Sequence, residues 1–411
     1  MTKKIVVTGI GATTPLGGTA TESWNALLAG ESGTRSLEHD WVAEHSLPVT
    51  FAAEAKVRPE TVLERVEYKR LDPSSQFALI SAREAWADAG SPDVDPERVG
   101  VDYSTGIGGL WTLLDAWDTL REKGPRRVLP MTIPMLMPNA AAAAISMAIP
   151  SRAYARTDVS ACASSTEALA NAYAHLQAGL ADVVIAGGTE SVVHPLPIAA
   201  FASMQALSKR NDDPATASRP YDISRDGFVL GEGAATLVLE TEEHALARGA
   251  KIYAELAGGA VTSDSFHITA PDPEGTAAAR AVRDALAVAG ATLDQVTHIN
   301  AHATSTPVGD IAEYKALLRI FGDHLPNIPV SATKAATGHL LGGTGALEAI
   351  FTVLAIHHRT APPTINLTEQ DPAIPLDVVT SPRDLGSGPQ LAISNSFGFG
   401  GHNAVAAFRS V

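Results

Sequence analysis

The sequence predicts an α/β protein whose sheets are buried, and two observations along the chain lead to that fold class. Strand-like apolar runs alternate with helical stretches, and no linker rich in Pro, Gly or Ser separates independent modules. The strand-like runs cover residues 4–8, 181–186, 235–239 and 296–301, and the helical stretches cover residues 74–90, 165–179, 242–248 and 275–290. The 411 residues suffice for two or three domains or for one large α/β unit.

A short internal repeat in the sequence indicates that the architecture is duplicated. Val159-Ser160-Ala161 leads through Cys162 into a helical stretch of small residues, and Val330-Ser331-Ala332 leads through glycines into the apolar residues 346–350. Each half of the chain therefore contains one segment with the order strand, turn, helix. Two such segments favour two similar halves over a simple doubly wound sheet.

The composition is that of a globular protein, with 45% hydrophobic residues, 34 Gly and 26 Pro. Residues 1–9 pass from two lysines directly into a strand-like run, which is too short and too soon interrupted for a signal peptide. The nearest candidate for a membrane span, residues 340–356, contains Glu348 and several glycines. With a single cysteine no internal disulfide can form, which fits a reducing compartment. We therefore expect a cytoplasmic protein that does not enter the membrane.

The formal net charge of −15 disfavours binding to nucleic acid, because most of the surface would repel phosphates. Three basic pairs stand out against that acidic background, namely Lys69-Arg70, Arg126-Arg127 and Lys209-Arg210. Such pairs are most often ordinary solvated surface. The alternative is a set of local positive patches for an acidic partner.

Two glycine-rich stretches could suggest a nucleotide site, but neither fits one. Gly9-Ile10-Gly11 follows a strand-like run, yet Thr14 stands where a dinucleotide fingerprint has its third glycine. Residues 227–233 lack the lysine of a phosphate-binding loop. The sequence therefore disfavours a nucleotide site.

Cys162 is the only cysteine and lies where a strand-like run gives way to a helix. Small residues follow it, then the helix formers Glu167-Ala168-Leu169, so the thiol is expected in the first turn of that helix. The free N–H groups and the dipole of a helix start stabilise an anion, so we expect the pKa of the thiol to fall from about 8.5 towards roughly 3.5–7.5. Cys162 is therefore a candidate nucleophile, and a small buried apolar residue is the alternative.

Three further stretches carry the marks of a site. His302 directly follows a strand-like run, a position from which side chains point into the ligand crevice of α/β folds. His339 has glycines on either side that let backbone or ligand approach closely. Residues 394–403 are dense in glycine, which would provide a mobile loop or exposed backbone N–H donors.

Together these stretches resemble the β-ketoacyl-acyl carrier protein synthases of the thiolase superfamily. The resemblance rests on Ser-Ala-Cys-Ala-Ser-Ser around Cys162, His302 before Thr-Ser-Thr-Pro, Lys334 before Gly338-His339, and residues 395–401. It covers essentially the whole chain, with supporting stretches at residues 208–212, 218–222 and 225–233. The elongating type II enzymes, especially the actinobacterial ones, are the most similar group, on residues 197–201 and 401–403.

The resemblance implies a thiolase-like fold, in which two similar α/β halves form five layers in the order α-β-α-β-α. Residues 1–253 would form the N-terminal half, which carries the nucleophile, and residues 254–411 the C-terminal half, which carries both histidines. Together they would make one ketosynthase domain over residues 2–410. The family also implies a homodimer.

The implied reaction is a decarboxylative Claisen condensation in fatty acid chain elongation. Cys162 would accept an acyl chain from the phosphopantetheine thiol of acyl carrier protein. His302 and His339 would hold the thioester oxygen of malonyl-acyl carrier protein while carbon dioxide leaves, because decarboxylation develops an enolate. The carbanion would then attack the acyl group on Cys162. Backbone N–H groups of Cys162 and Phe399 would form the oxyanion hole, and the Phe399 side chain would be a gate for the acyl chain.

Further residues match supporting positions in the family. Lys334, Glu313 and Glu348 match groups that tune the histidines, with an ordinary structural ion pair as the alternative. Thr304 and Thr306 match contacts to the pantetheine arm, and Ile107 matches the lining of the acyl pocket, with plain packing as the alternative. The three basic pairs match the docking region for the acidic carrier. The family implies no metal and no cofactor beyond the phosphopantetheine that the carrier brings.

The chain departs from the family pattern at three places, and several activities stay open. Ala303 replaces a glycine, Gly343-Thr344 stands where two small apolar residues are usual, and His402 replaces a threonine, which leaves chain-length preference undecided. A thiolase would need a second cysteine, and synthases that start chains from coenzyme A have an asparagine at the position of His339. A ketosynthase of a type II polyketide pathway is the main alternative. A cysteine hydrolase and an inactive scaffold are the others.

Overall fold

A computed structural model describes residues 3–411 of the chain. In the first part of the chain the elements are β1 (Ile5–Thr13), α1 (Ala20–Leu28), β2 (Arg35–Ser36), α2 (Asp40–Glu44), β3 (Phe51–Ala52), α3 (Arg65–Tyr68), α4 (Pro73–Asp88), β4 (Val99–Ser104), α5 (Leu110–Lys123), α6 (Thr132–Leu136), α7 (Ala140–Ala148), β5 (Tyr154–Arg156), α8 (Ser164–Gln177), β6 (Val183–Glu190), α9 (Pro195–Ser203), β7 (Gly233–Thr241) and α10 (Glu242–Ala247). The second part contains β8 (Ala254–Ser263), α11 (Thr276–Val288), β9 (His298–Asn300), α12 (Pro307–Phe321), β10 (Pro329–Ser331), α13 (Lys334–Thr337), α14 (Thr344–His358), β11 (Thr360–Ala361), β12 (Asp377–Val378), β13 (Arg383–Asp384), β14 (Leu391–Gly398) and β15 (His402–Arg409). Each strand-like run and helical stretch predicted from the sequence overlaps one of these elements.

The two parts of the chain repeat one sheet topology. In the large sheet, the five strands of the first part lie in the order β5-β4-β6-β7-β1, and five strands of the second part lie in the order β10-β9-β14-β15-β8. Numbered within its own part, each set reads 3-2-4-5-1. The strand directions also agree, because in each set the first two pairings are parallel and the last two are antiparallel. The duplicated architecture is therefore present in the backbone.

The two sheets are joined at their edges. β1 pairs antiparallel with β8, where Ile5 lies opposite Leu256 and Val7 lies opposite Ala254. β12 adds a strand beyond β10, so the whole forms one sheet of 11 strands. All nine residues of β1 are buried, as expected for a strand that is covered on both faces.

Helices complete five layers around the folded sheet. α8 and α14 pack against strands of both parts and form the central layer, while α4 and α7 cover the first set of strands and α11 and α12 lie on the outside of the second. Residues 344–356 of α14 are all buried, which matches the almost uninterrupted apolar sequence there. The predicted thiolase-like layering, α-β-α-β-α, is confirmed.

Helix α4 illustrates how the chain sets its own helix boundaries. The Asp72 carboxylate accepts a hydrogen bond from the backbone N–H of Ser74 at 2.9 Å, and Pro73 occupies the first helical position. Gly9 and Gly11 of β1 let this helix approach, because a Cβ at those positions would lie 2.2 Å from Ala85 O and 2.1 Å from Ser81 O. Their role is helix-strand packing, which agrees with the prediction that this stretch is not a nucleotide loop.

Within residues 3–411, no helix has both the length and the apolar character that crossing a bilayer would require.

Candidate active site

Cys162 lies in a short 3-10 turn, Ala161–Ala163, that runs directly into α8. The thiol is therefore placed just before the helix, one turn earlier than the sequence predicts. Ala161 has a φ of 51°, a conformation that non-glycine residues rarely adopt. The Ser164 side chain stabilises the turn, because its Oγ accepts from the N–H of Ser160 at 2.9 Å and donates to Ala161 O at 2.7 Å.

The glycine-rich stretch at the end of β14 packs directly on this turn. A Cβ on Gly398 would lie 3.0 Å from the backbone nitrogen of Cys162 and 2.8 Å from Ser160 O. Only glycine allows that approach. It brings the backbone N–H of Phe399, together with that of Cys162 itself, within hydrogen-bond reach of the sulfur.

Burial raises the pKa of the Cys162 thiol to about 11, so the expectation of a lowered pKa is wrong. The N–H of Phe399 and the charge of Lys334 do act to lower it, as a helix start was expected to do, but loss of solvent outweighs them. The sulfur is enclosed by residues from both parts of the chain. That enclosure cannot be read from the local sequence.

The raised pKa gives a prediction for the reactivity of the free protein. Because the thiolate is the reactive form, the rate constant for alkylation of Cys162 by iodoacetamide should rise about tenfold per pH unit from pH 7 to pH 10. Mass spectrometry of the intact protein, sampled over time at each pH, measures that rate. A rate that levels off below pH 8 would contradict a raised pKa and restore the original expectation.

His302 follows β9 and is held through its backbone by a buried carboxylate. Glu313 Oε1 accepts from the N–H of His302 at 2.9 Å, and Oε2 accepts from the N–H of Ala303 at 2.7 Å. The side-chain amide of Asn395 also donates to Glu313, at 3.1 Å. Ala303 has a φ of 31°, in the left-handed region that non-glycine residues rarely adopt. The clamp on two successive N–H groups holds this strained turn in place.

His339 lies between α13 and a second 3-10 turn, Leu341–Gly343. Its backbone bonds to the segment before β7, because its N–H donates to Val229 O at 2.8 Å and its carbonyl accepts from Gly231 at 2.9 Å. Its ring nitrogen Nδ1 lies 3.0 Å from the hydroxyl of Thr344. This turn repeats the geometry of the cysteine turn, since Leu341 has a φ of 44° and α14 follows it.

The structure brings the cysteine and both imidazoles into one cavity. The cavity has a volume of about 600 Å³. The ring centroids of His302 and His339 are 5.6 Å apart, at an interplanar angle of 84°. Eight of the residues singled out in the sequence line the cavity: Cys162, His302, His339, Phe399, Thr304, Thr306, Ile107 and Glu313.

Both imidazoles are neutral at physiological pH. Burial lowers the pKa of His302 and of His339 well below the usual value, and the nearby charge of Lys334 lowers both further. Nδ1 of His302 and Nε2 of His339 are buried without a hydrogen-bond partner in the described part of the chain. A neutral imidazole has one N–H, so each ring can offer one hydrogen bond to an oxygen in the cavity.

Behind the imidazoles lies a buried ion pair. Lys334 Nζ is 2.7 Å and 2.9 Å from the two carboxylate oxygens of Glu348, and it also donates to the backbone carbonyl of His302. Both side chains of the pair are only 1% exposed. Burial raises the pKa of Glu348 to about 7 and also raises that of Glu313. Lys334 therefore contacts the backbone of one histidine and keeps a positive charge near both.

Ile107, Thr304 and Thr306 lie along the same cavity. The hydroxyls of Thr304 and Thr306 are 3.1 Å apart, and Thr306 also caps α12 by accepting from the N–H of Gly309. Ile107 is 41% exposed in the single chain. The two threonines therefore offer polar surface to the cavity, and the isoleucine offers apolar surface.

Glu190 is a buried residue at the site that the sequence reasoning missed. Its carboxylate accepts from the N–H groups of Gly106 at 2.8 Å, Ile107 at 3.2 Å and Gly342 at 3.0 Å. It thereby ties the loop that carries Ile107 to the turn after His339. Burial raises its pKa to about 7. The available signal was a lone acid at the end of the small-residue strand β6.

The three basic pairs are solvent-accessible and do not line the cavity. Among residues 3–411, none of the six forms an ion pair with a carboxylate. Lys209-Arg210 follows the cavity-lining residues 204–206 in the chain, and the N–H of Lys209 bonds to Asp226, which also lines the cavity. That pair is therefore adjacent to the cavity, whereas Lys69-Arg70 follows α3 and Arg126-Arg127 follows α5.

A duplicated five-layer fold with a thiol and two imidazoles in one cavity defines a thiolase-like enzyme. Known proteins agree with that class. The family model described as "Beta-ketoacyl synthase, N-terminal domain" matches residues 2–245. The model described as "Beta-ketoacyl synthase, C-terminal domain" matches residues 253–368. The chain belongs to the β-ketoacyl synthase family.

Individual relatives agree over nearly the full length. The 3-oxoacyl-[acyl-carrier-protein] synthase 2 of Mycobacterium bovis is 45% identical over 405 residues, which cover 98% of this chain and 96% of the relative. The protein of the same name from Synechocystis is 44% identical over 410 residues, covering 99% and 98%. These relatives confirm the predicted family and the assignment to acyl-transferring condensing enzymes.

Two solved structures are similar over 100% of both chains. A beta-ketoacyl synthase from Burkholderia phymatum has a TM-score of 0.91 and 37% identity. A structure described as a type II polyketide synthase acyl-carrier protein in complex with its ketosynthase bound to the hexaketide also has a TM-score of 0.91, with 30% identity. Both confirm the predicted fold.

Proposed function

We propose that the protein extends acyl chains by two carbons, joining a malonyl unit on acyl carrier protein to an acyl group held on Cys162. The observation that carries the proposal is that one thiol and two neutral imidazoles line a single cavity, with two backbone N–H groups directed at the sulfur. A nucleophile, an oxyanion hole and donors for an enolate are the parts that this reaction needs.

In the first step Cys162 takes the acyl chain. The sulfur attacks the thioester carbonyl of the acyl carrier, the carrier's phosphopantetheine thiolate leaves, and the thiol proton ends on that leaving sulfur. The tetrahedral intermediate carries a negative oxygen. The N–H groups of Cys162 and Phe399 are suited to bind it, because both already point at the sulfur.

In the second step malonyl-acyl carrier protein loses carbon dioxide and forms a carbon–carbon bond. The C–CO₂ bond breaks and its electrons pass into an enolate, whose oxygen accepts hydrogen bonds from His302 and His339. The enolate carbon then attacks the acyl thioester on Cys162. The Cys162 thiolate leaves and takes up a proton from water, which restores the thiol, and 3-oxoacyl-acyl carrier protein is the product. Neutral imidazoles suit this step because they donate hydrogen bonds without giving up a full proton.

The remaining residues have supporting roles in the proposal. Lys334 with Glu348 keeps the imidazoles neutral and in place, and Glu313 fixes the backbone of His302. Thr304 and Thr306 line the way in for the pantetheine arm. Ile107 borders the acyl chain, and the side chain of Phe399 is the gate through which the chain enters.

The fatty acid pathway is favoured over a polyketide pathway. The curated relatives at 44–45% identity carry the name 3-oxoacyl-[acyl-carrier-protein] synthase 2, whereas the polyketide ketosynthase structure is 30% identical. The test is an assay of the purified protein with malonyl-acyl carrier protein and carrier-bound saturated primers of graded length. One round of extension and one CO₂ per product are expected. Several successive extensions would favour the polyketide alternative, and malonate without CO₂ would indicate a hydrolase.

The proposed partner is an acyl carrier protein, which docks on the basic pairs. The chain has a net charge of −15, so an acidic carrier would be repelled unless local positive patches guide it. The six basic side chains form no ion pairs with the described carboxylates, and all but Arg210, whose guanidinium bonds to the carbonyl of Ser224, stay available to a partner. In one solved relative a ketosynthase is bound to its acyl-carrier protein.

Charge reversal on the docking surface should affect the carrier and not the chemistry. We expect Arg126→Glu/Arg127→Glu to raise KM for carrier-bound substrate about tenfold, with a smaller effect at high salt. Turnover of a small acyl thioester should stay unchanged. Steady-state kinetics with both substrates measures this.

The matched control for this experiment is Lys3→Glu/Lys4→Glu, which changes the net charge equally. Lys3 bonds to Gln177 at the end of α8 away from Cys162, which a 14-residue helix places roughly 20 Å off. An equal rise in KM for both double variants would mean that only the total charge matters and would remove the docking surface from the proposal.

The proposal includes two halves, divided between residues 253 and 254, and a homodimer. Residues 1 and 2 of the first half lie outside the described residues. The dimer is supported by the open edge of β5 and by exposed apolar side chains on the adjoining surface, including Leu129, Ile133 and Met147 at 61%, 63% and 76%. Sedimentation of the pure protein tests it, and a species of 42.7 kDa alone would contradict it.

A cytoplasmic location completes the proposal, because a nucleophilic thiol must stay reduced. No cofactor is required, since the acyl and malonyl groups arrive on the carrier's own phosphopantetheine.

A further inference from the structure

Thr344 is a buried hydroxyl residue in contact with one of the two imidazoles. It is the first residue of α14 and is 1% exposed. Its Oγ1 lies 3.0 Å from Nδ1 of His339, and among residues 3–411 this nitrogen is the hydroxyl's only hydrogen-bond partner.

We propose that Thr344 is a positioning residue that fixes His339 as the tautomer with its proton on Nε2. The inference rests on the proposed condensation, in which His339 donates to the enolate oxygen. It deepens that proposal by assigning a residue that decides which nitrogen donates.

The argument follows from counting protons. A neutral imidazole and a threonine hydroxyl each carry one polar hydrogen. If the hydroxyl donates to Nδ1, the ring proton is on Nε2, which is buried in the cavity wall without a partner and is free to bind a substrate oxygen. Once a substrate oxygen is bound, every polar hydrogen of the pair then has an acceptor.

The opposite arrangement leaves two groups unsatisfied. If Nδ1–H donates to the hydroxyl oxygen, the hydroxyl proton of Thr344 has no acceptor among the described residues, although the side chain is buried. Nε2 would then present a lone pair to an enolate oxygen, and two acceptors repel each other. Each buried polar group without a hydrogen-bond partner costs free energy. The first arrangement leaves fewer such groups, so it has the lower free energy both in the free protein and when the enolate forms.

The two imidazoles are held by different means. Glu313 holds His302 through backbone N–H groups, and Nδ1 of His302 has no partner in the described chain. His339 is held through its ring as well as through its backbone. Because burial and the charge of Lys334 keep His339 neutral, its single proton has two possible positions, and a ring contact is what selects between them.

The experiment compares Thr344→Val, which keeps the shape and removes the hydroxyl, with Thr344→Ser, which keeps the hydroxyl. We expect Val to lower kcat for CO₂ release from malonyl-acyl carrier protein about tenfold with little change in KM. Ser should stay within about twofold of the wild type. Acylation of Cys162 by a carrier-bound acyl chain should be the same in all three proteins, because that step does not use His339.

A second readout reports the tautomer without any turnover. Long-range ¹H–¹⁵N correlation spectra of ¹⁵N-histidine-labelled protein distinguish Nε2–H from Nδ1–H, and the signals of His339 are those lost in His339→Gln. The wild type and Thr344→Ser should have Nε2–H, and Thr344→Val should have a mixture of tautomers.

Three outcomes would overturn the proposal: an Nδ1–H signal in the wild type, decarboxylation by Thr344→Val at the wild-type rate, or a loss in Val that Ser does not restore. The last would assign the effect to packing. Wild-type protein that forms Nε2–H but releases no CO₂ would instead overturn the proposed function.

Discussion

Replacement of Cys162 by alanine is expected to abolish chain extension, with a loss on the order of 10⁴-fold or more. Without the sulfur no acyl-enzyme can form, so the condensation has no electrophile in place. Incubation with a carrier-bound acyl primer should add the acyl mass to the wild type and nothing to the variant, as measured by intact mass spectrometry. A variant that still extends primers would mean that another residue carries the acyl chain.

The same variant separates the two half-reactions. His302 and His339 remain in the cavity of Cys162→Ala, so CO₂ release from malonyl-acyl carrier protein should persist. Cys162→Ser is the matched control for the size of the side chain. Its hydroxyl is a far weaker nucleophile than a thiol at neutral pH, so it should also fail to extend chains while releasing CO₂. An inactive scaffold would show neither reaction in the wild type.

The sequence allows the main residues of the site to be predicted because each lies next to a feature that the local sequence defines, such as a helix start or a strand end. Cys162 precedes a helix, His302 follows a strand, and His339 lies between glycines, and the structure has each of these features. The elements themselves were predictable for a similar reason. α4, for example, has its cap, its proline and its small buried face within 20 residues of sequence, so no distant contact is needed to define it.

What the sequence could not provide depends on contacts between distant segments. The thiol pKa was expected to fall because a helix start is local, but it rises because the C-terminal strand β14 and the turn after His339 enclose the sulfur. Glu190 was missed for the same reason, since its partners Gly106 and Gly342 are 84 and 152 residues away along the chain. The edge pairing of β1 with β8 likewise has no local signal.

The second large effect is expected in stability. Lys334→Met should lower the free energy of unfolding by about 3–5 kcal/mol, because the buried Glu348 carboxyl group would lose its cation and would have either to take up a proton or to stay charged without a partner. The pKa of Glu348 is already raised to about 7 with Lys334 present, and losing the lysine raises it further. Urea denaturation of wild type and variant, followed by circular dichroism, measures the difference.

An exposed pair provides the matched control. Lys315 Nζ is 2.9 Å from Glu274 Oε1, nearly the spacing of the buried pair, but the two side chains are 41% and 61% exposed. Lys315→Met should therefore cost only about 0–1 kcal/mol. If Lys334→Met lowered the free energy of unfolding as little as this control does, burial would not be the reason that the Lys334–Glu348 pair stabilises the fold.

Removing both members of the buried pair separates its effect on the stability of the fold from its electrostatic effect on the histidines. Lys334→Met/Glu348→Leu should recover most of the lost stability, because apolar side chains of similar volume fill the space without an unpaired charge. The histidines would still lose the positive charge that helps to keep their pKa values low. The double variant should therefore be stable, show a higher pKa for His302 by NMR titration, and extend chains more slowly than wild type. Stability without that loss of rate would mean that the pair serves the fold alone.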